Sequence, residues 1–209
     1  MTITYKVKNG LYVNMTNRCS CSCTFCLRNN APGVFGSDSL WLEREPTIDE
    51  IKESFGKWNL DEFKEVVFCG YGEPTMRLEE LIETARYIKS IKPTMPIRLN
   101  TNGLCDLVWK KPVAPLLKGL VDVVSISLNT PDPEEYLRIC RPMFGISSWQ
   151  AMLDFASSCR ACVPDVVLTI VGEPVTSPEN QARCREIAER LGVRLRVRRY
   201  ETRGDSDHE

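Results

Sequence analysis

Six short runs rich in β-branched and apolar residues recur along the chain, each separated from the next by a segment with helical spacing. They are LYVNMTN (11–17), EVVFCGYG (65–72), PIRLNTNG (96–103), VDVVSISLN (121–129), DVVLTIVGE (165–173) and VRLRVRRY (193–200). Between them, EPTIDEIKESFGKW, MRLEELIETARYIKSI, KPVAPLLKGL, SSWQAMLDFASSCRAC and SPENQARCREIAERLG carry apolar residues three and four apart. Several open on Thr, Ser or Pro, as helix starts do. Strand then helix, repeated, builds an α/β fold on a parallel sheet with outer helices. Six units in 209 residues are too few for a closed eight-unit barrel. The pattern therefore predicts an open, partial (β/α)6 barrel or a doubly wound sheet, as one domain over residues 1–201 with a polar tail at 202–209.

Composition narrows the function classes. Hydrophobic residues form 43% of the chain, enough for a sizeable core, and 27 basic against 28 acidic residues leave no overall field that would attract nucleic acid. The N-terminus MTITYKVKNG has no apolar signal core, and no apolar run reaches the ~18 residues of a membrane span, so a cytoplasmic protein is expected. In that reducing compartment ten cysteines point to metal more than to disulfides. The one histidine, His208, lies in the polar tail, which argues against Ser/His/Asp, Cys/His and His-ligated zinc chemistry.

In either architecture ligands gather where the strands end. The unusual residues are there: Asn17 to Cys26 after the first run, GYGEP (70–74) after the second, NTNG (100–103), SLNTP (127–131) and GEP (172–174). In NRCSCSCTFC four thiols occupy eight positions, too tight for the two separated pairs of a structural zinc site. An iron-sulfur cluster on a loop fits better. Reading Cys19, Cys23 and Cys26 as C-x3-C-x2-C gives three thiolates and leaves one iron of a 4Fe-4S cluster without a protein ligand.

With Phe25 just before the third cysteine and GYGEP at the next strand tip, the chain resembles the radical S-adenosylmethionine (SAM) superfamily over nearly its whole length. The resemblance implies that Cys19, Cys23 and Cys26 ligate the cluster, the catalytic centre, and that the open iron binds the methionine moiety of SAM. It places Phe25 by the adenine and matches Tyr71, Gly72, Glu73 and Pro74 to the G-G-E-P motif at the SAM amino group, with Tyr71 in place of the first glycine. Asn100, Asn102, Ser127 and Asn129 match positions at the ribose and carboxylate; Val171 and the backbone near Arg198 match positions flanking the adenine. TNRCSCSCTFCLR and FCGYGEPTMR look most like the TatD-associated members, which implies a link to a TatD-like metal-dependent hydrolase. The implied activity is reductive cleavage of SAM to methionine and a 5'-deoxyadenosyl radical that abstracts hydrogen from a substrate, with flavodoxin or ferredoxin as electron source and with sensitivity to oxygen. Two alternatives stay open: a glycyl-radical activase acting on a protein partner, and a non-enzymatic iron-sulfur electron carrier or sensor.

Side-chain alternation adds a substrate expectation. Arg98, Asn100 and Asn102 share one face of their strand and Ile97 and Leu99 the other, and Ser125, Ser127 and Asn129 oppose Val124, Ile126 and Leu128. Apolar lines should lie under the helices and polar lines inside the barrel. By analogy Arg194, Arg196 and Arg198 face inward, and with Arg98 they suit an anionic substrate, which guanidinium groups bind in bidentate fashion. Segment 29–46, with Gly33, Phe35, Gly36 and Trp41, reads either as a lid carrying a substrate contact at Trp41 or as a docked connection. Cys21 is expected to be a non-ligand, Cys69, Cys105 and Cys140 core residues, and Cys159, Cys162 and Cys184 buried free thiols. Arg141 with Pro142 reads as a solvated turn.

Overall fold

The computed structural model describes residues 1–29, 33 and 37–200. Phe35, Gly36 and the tail 202–209 lie outside the described residues. Seven strands form one sheet in chain order: β1 (Thr4–Val7), β2 (Gly10–Val13), β3 (Glu65–Phe68), β4 (Ile97–Thr101), β5 (Val123–Ser127), β6 (Asp165–Val171) and β7 (Arg194–Arg198). From β2 onward every pair is parallel, and the sheet is open.

The helices are α1 (Ile48–Ser54), α2 (Leu78–Ile91), α3 (Cys105–Trp109), α4 (Pro133–Cys140), α5 (Ser147–Arg160) and α6 (Pro178–Leu191). Their starts follow from sequence. Thr47 and Glu50 form a reciprocal capping box on α1, Asp132 accepts from the Glu135 amide at 2.8 Å, and Ser177 accepts from the Asn180 amide. Among the described residues no helix is long and apolar enough to cross a membrane.

Several sequence expectations need correction. The sheet is not wholly parallel: β1 pairs antiparallel with β2 through a turn in which Lys8 takes φ 51°. The stretch KPVAPLLKGL forms only a 3-10 turn at Ala114–Leu117, because Pro112 and Pro115 remove donors and block a longer helix. Two of the helices, α3 and α4, lie outside the segments with helical spacing.

The apolar faces behave as the alternation requires. Leu11, Val13, Phe68, Ile97, Leu99, Val124, Ile126, Leu168 and Ile170 are buried with Leu81, Ala85, Ile88, Met152, Phe155 and Ile187 of the helices. The opposite face carries Tyr12, Glu65, Arg98, Asn100, Ser125, Thr169, Arg196 and Arg198. In a flat sheet β2 and β7 would lie about 24 Å apart, five strand spacings. Tyr12 and Arg196 nevertheless sit within each other's field, and Arg196 within that of Arg98. The sheet therefore curls around a narrow polar interior.

Candidate functional site

The cysteine loop is held on two sides. Asn17 Nδ2 donates to the Leu42 carbonyl at 2.7 Å and Asn17 Oδ1 accepts from the Leu42 amide at 3.1 Å, fastening the loop to segment 37–46. Thr16 and Arg18 both bond to the Glu45 carboxylate, at 2.6 Å each. On the far side the Ser22 amide donates to the Cys140 carbonyl (3.1 Å), the Thr24 amide to Ile139 (2.9 Å) and the Met143 amide to Ser20 (2.9 Å). The end of α4 thus runs beside the loop like an added strand.

Cys19, Cys23 and Cys26 are each half-buried, and Cys23 lies within the field of both others. Burial pushes the Cys19 thiol up to about 12, with the Glu73 carboxylate adding to the rise, and burial also raises Cys26. Cys23 goes the other way, to about 4, because the Cys140 and Cys21 thiols hydrogen-bond to it. Among the described residues no three His, Cys, Asp or Glu side chains converge as a single-ion site. The donor set still fits an iron-sulfur cluster. Three partly desolvated thiols stand on one loop at the strand ends, and bound cationic iron would offset the desolvation that keeps Cys19 and Cys26 protonated. Cys21 is buried against Cys23, Cys140 and Tyr136, turned into the core.

Glu73 is 4% exposed and ties two strand tips together. Its Oε1 accepts from the Thr75 amide (3.1 Å), the Thr75 hydroxyl (2.8 Å) and the Thr101 hydroxyl (2.8 Å), and its Oε2 accepts from the Asn102 amide (2.7 Å). Burial pushes this carboxyl above the usual range and the four donors pull it partly back. Only Oε2 keeps room for a further donor. Pro74 opens the 3-10 turn Pro74–Arg77 behind it. The tight spot in this motif is Gly72: a Cβ there would stand 2.2 Å from the Thr16 carbonyl oxygen. Tyr71 needs no such approach; its ring packs edge-on against Trp41 at 5.3 Å.

The other expected residues divide into two groups. Around the cysteines, Asn102 Nδ2 donates to Ser20 Oγ at 2.9 Å and lies 3.7 Å from Cys19 Sγ, and Phe25 packs on the edge of the core. Asn129 is turned beneath the loop, its Nδ2 3.4 Å from Cys140 Sγ, with Oδ1 unpartnered. Within the barrel, Asn100 Oδ1 is buried and unpartnered, Ser127 is half-buried, and Val171 pairs in register with Arg198. Arg98 forms an ion pair with Glu65; partial desolvation, and after it the repulsive field of Arg98 and Arg198, lowers the proton affinity of Arg196 although the residue is exposed. Arg198 reaches the field of Cys26 and Cys69. Arg194 departs from the row by its pairing with Asp165 at the opening of β6, because it stands at the first residue of β7; exposure does not set it apart, since Arg196 is exposed as well. Trp41 is 43% exposed, while its neighbours Leu40 and Leu42 are buried, so this part of segment 29–46 docks on the sheet.

Cys140 lies in the core as expected, whereas Cys69 is only half-buried, and Tyr5 and Tyr12 join the same region with no motif to mark them. Cys69 faces the interior, where the Asn100 side chain bonds its thiol. Alternation in EVVFC puts Cys69 on the face of Glu65 and Val67, a signal available in the sequence. Tyr5 and Tyr12 stack at 5.4 Å on the same side, and the Tyr5 hydroxyl donates to the Cys69 carbonyl at 3.3 Å.

Comparison with known proteins gives a consistent picture. A sequence profile described as the Radical SAM superfamily matches residues 13–191. GTP 3',8-cyclase of Corynebacterium glutamicum is 30% identical over 145 residues, covering 65% of this chain and 35% of that protein. A probable GTP 3',8-cyclase of Thermococcus kodakarensis is 30% identical over 146 residues, 69% of this chain and 41% of that protein. The chain therefore spans well under half the length of these relatives. Methylornithine synthase shares the fold at TM-score 0.62 and 15% identity, over 92% of this chain and 53% of that one. Native anSMEcpe with bound AdoMet does so at TM-score 0.62 and 21% identity, over 91% of this chain and 51% of that one.

Proposed function

Because the chain belongs to the radical SAM superfamily, enzymes that work with a 4Fe-4S cluster and SAM, we propose that it cleaves SAM reductively and acts on an anionic substrate. When bound, cluster and SAM supply a 5'-deoxyadenosyl radical able to take hydrogen from an unactivated C–H bond. Cys19, Cys23 and Cys26 hold three irons. The free lone pair of Glu73 Oε2 would accept from the SAM ammonium, and the unpartnered Asn100 Oδ1 would accept from a hydroxyl in the interior. Leu40, Trp41 and Tyr71 shield that side from water.

The observation that carries the substrate class is the closeness of Arg98, Arg196 and Arg198 along the polar face of the sheet, with Arg196 open to solvent and Glu65 paired to Arg98. Guanidinium groups that repel one another in a partly desolvated space gain most from a bound anion. The relatives' name points to a nucleoside triphosphate as one such anion. The narrower likeness to TatD-associated proteins, with its link to a TatD-like hydrolase, rests on TNRCSCSCTFCLR and FCGYGEPTMR.

The test is anaerobic incubation of reduced, cluster-loaded protein with SAM and single anions, GTP among them. At least one anion should raise 5'-deoxyadenosine output, and Arg196→Ala should abolish that rise while leaving the anion-free background in place. Equal stimulation of the Arg196→Ala protein would sink the anionic-substrate reading.

A further inference from the structure

The sequence from Tyr136 to Gln150, YLRICRPMFGISSWQ, contains two arginines and no Asp, Glu or Lys. Its turn projects Met143, 66% exposed, and Ile146, 46% exposed, among the most exposed large apolar side chains described. Apolar side chains so placed gain nothing from the fold itself. Beside them Arg141 is exposed at the left-handed C-cap of α4 (φ 46°), and Arg138 is one turn back. Among the described residues no ion pair involves Arg141; Arg138 has a loose one to Glu135 at 3.3 Å.

This turn is also the cysteine loop's nearest neighbour on that side. Cys21 bridges to Pro142, and the Met143 amide bonds to Ser20 between Cys19 and Cys21. The Ser22 amide bonds to the carbonyls of Cys140 and Arg141. Arg28, at the loop's other end, adds positive field at all three proposed ligands. An apolar centre of Met and Ile with an arginine rim, depleted in Lys and acids, has the composition of a protein–protein interface. Its charge selects an acidic partner, and its backbone contacts lead directly to the cluster loop.

On the reading of Cys19, Cys23 and Cys26 as cluster ligands, we propose that Arg138, Arg141, Met143 and Ile146 form the docking face for a small acidic protein that donates one electron. One electron leaves the donor's reduced group and enters the cluster; no bond or atom moves. Such an encounter is small and short-lived, below about 1,200 Å² in total, with an association rate that falls as salt rises.

The experiment uses reduced flavodoxin as the probe, cluster-loaded protein and two variants, Arg141→Glu/Met143→Asp and Ile146→Asp, with circular dichroism to establish folding. Flavodoxin affinity and the rate of flavodoxin-driven cluster reduction should both fall about tenfold or more, while reduction by dithionite keeps its wild-type rate. Unchanged flavodoxin binding and reduction in both folded variants overturns the docking face and leaves the cluster reading intact. If anaerobically reconstituted wild-type protein retains no iron, the cluster reading falls and the docking face falls with it. If the wild type is a dimer that the variants dissociate, with flavodoxin kinetics unchanged, the face belongs to a second copy and the donor proposal is wrong.

Discussion

Replacing Glu73 by glutamine separates its two tasks, joining the strand tips and facing the cofactor. The amide keeps shape and one acceptor. In its better orientation the remaining oxygen stays at Oε1, where Thr75 and Thr101 supply three donors at 2.8 to 3.1 Å. The new NH2 group then confronts the Asn102 amide, which had donated to Oε2 at 2.7 Å. A hydrogen bond to a charged group contributes about 1.5–3 kcal/mol, and relief from burying a charge returns part of that. The expected net loss is about 1–2 kcal/mol, or roughly 2–8 °C in Tm for a chain of this size. Glu73→Ala strips the acceptor from all four donors and leaves a cavity, so about 4 kcal/mol is expected. The pH dependence carries the opposite sign from an ordinary ion-paired carboxylate. The folded pKa lies above its ordinary 4.5, so in the window between the two the folded state binds more protons. Wild-type stability should therefore rise relative to Glu73→Gln as pH falls from the raised value to 4.5. Urea unfolding of the reduced apo-protein at several pH values measures both effects. Variants within about 0.5 kcal/mol of wild type at every pH would refute the tie between the strand tips.

Single changes of Cys19, Cys23 or Cys26 to Ala should remove the cluster's iron and its brown absorbance, while Cys21→Ala keeps iron and loses about 1 kcal/mol of stability from a small buried cavity; colorimetric iron determination with unfolding curves checks this. Arg196→Met removes one of three mutually repelling guanidinium groups, so by differential scanning fluorimetry the substrate-free protein should melt at the wild-type temperature or slightly above, with the wild type regaining the advantage in high phosphate. Gly72→Ala drives a Cβ against the Thr16 and Arg18 carbonyls at 2.2 and 2.6 Å, which should lower stability by about 2–3 kcal/mol and reduce iron retention, as thermal melts and iron analysis will report.

The parallel strands could be read because each ends in residues a core does not need, such as NTNG and GYGEP, and because β4 and β5 alternate cleanly. β1 escaped because TYKV is four residues long and sits at an edge, where only Tyr5 and Val7 are buried. For α4 the signs were present in Asp132 at the N-cap, Pro133 at the first position and two glutamates after it. KPVAPLLKGL failed for the reverse reason, its apolar spacing outweighed by two prolines. At the site, the three half-buried cysteines were legible from spacing, but the setting of Cys23 was not, since it needs the α4 end to lie against the loop. Glu73 was legible as a strand-tip residue and illegible as a tie, because its partners Thr101 and Asn102 come from another strand tip. Arg194 broke from the arginine row through a two-point pairing with Asp165 that no periodicity encodes.

The central claim is that Cys19, Cys23 and Cys26 hold a cluster whose remaining iron is open to SAM. Electron paramagnetic resonance of the dithionite-reduced, anaerobically reconstituted protein, recorded with and without SAM, addresses it directly. The account predicts a reduced-cluster signal that changes when SAM is added, in wild-type and Cys21→Ala protein alike. A strong reduced-cluster signal left unaltered by saturating SAM would contradict it and return the chain to the class of electron carriers.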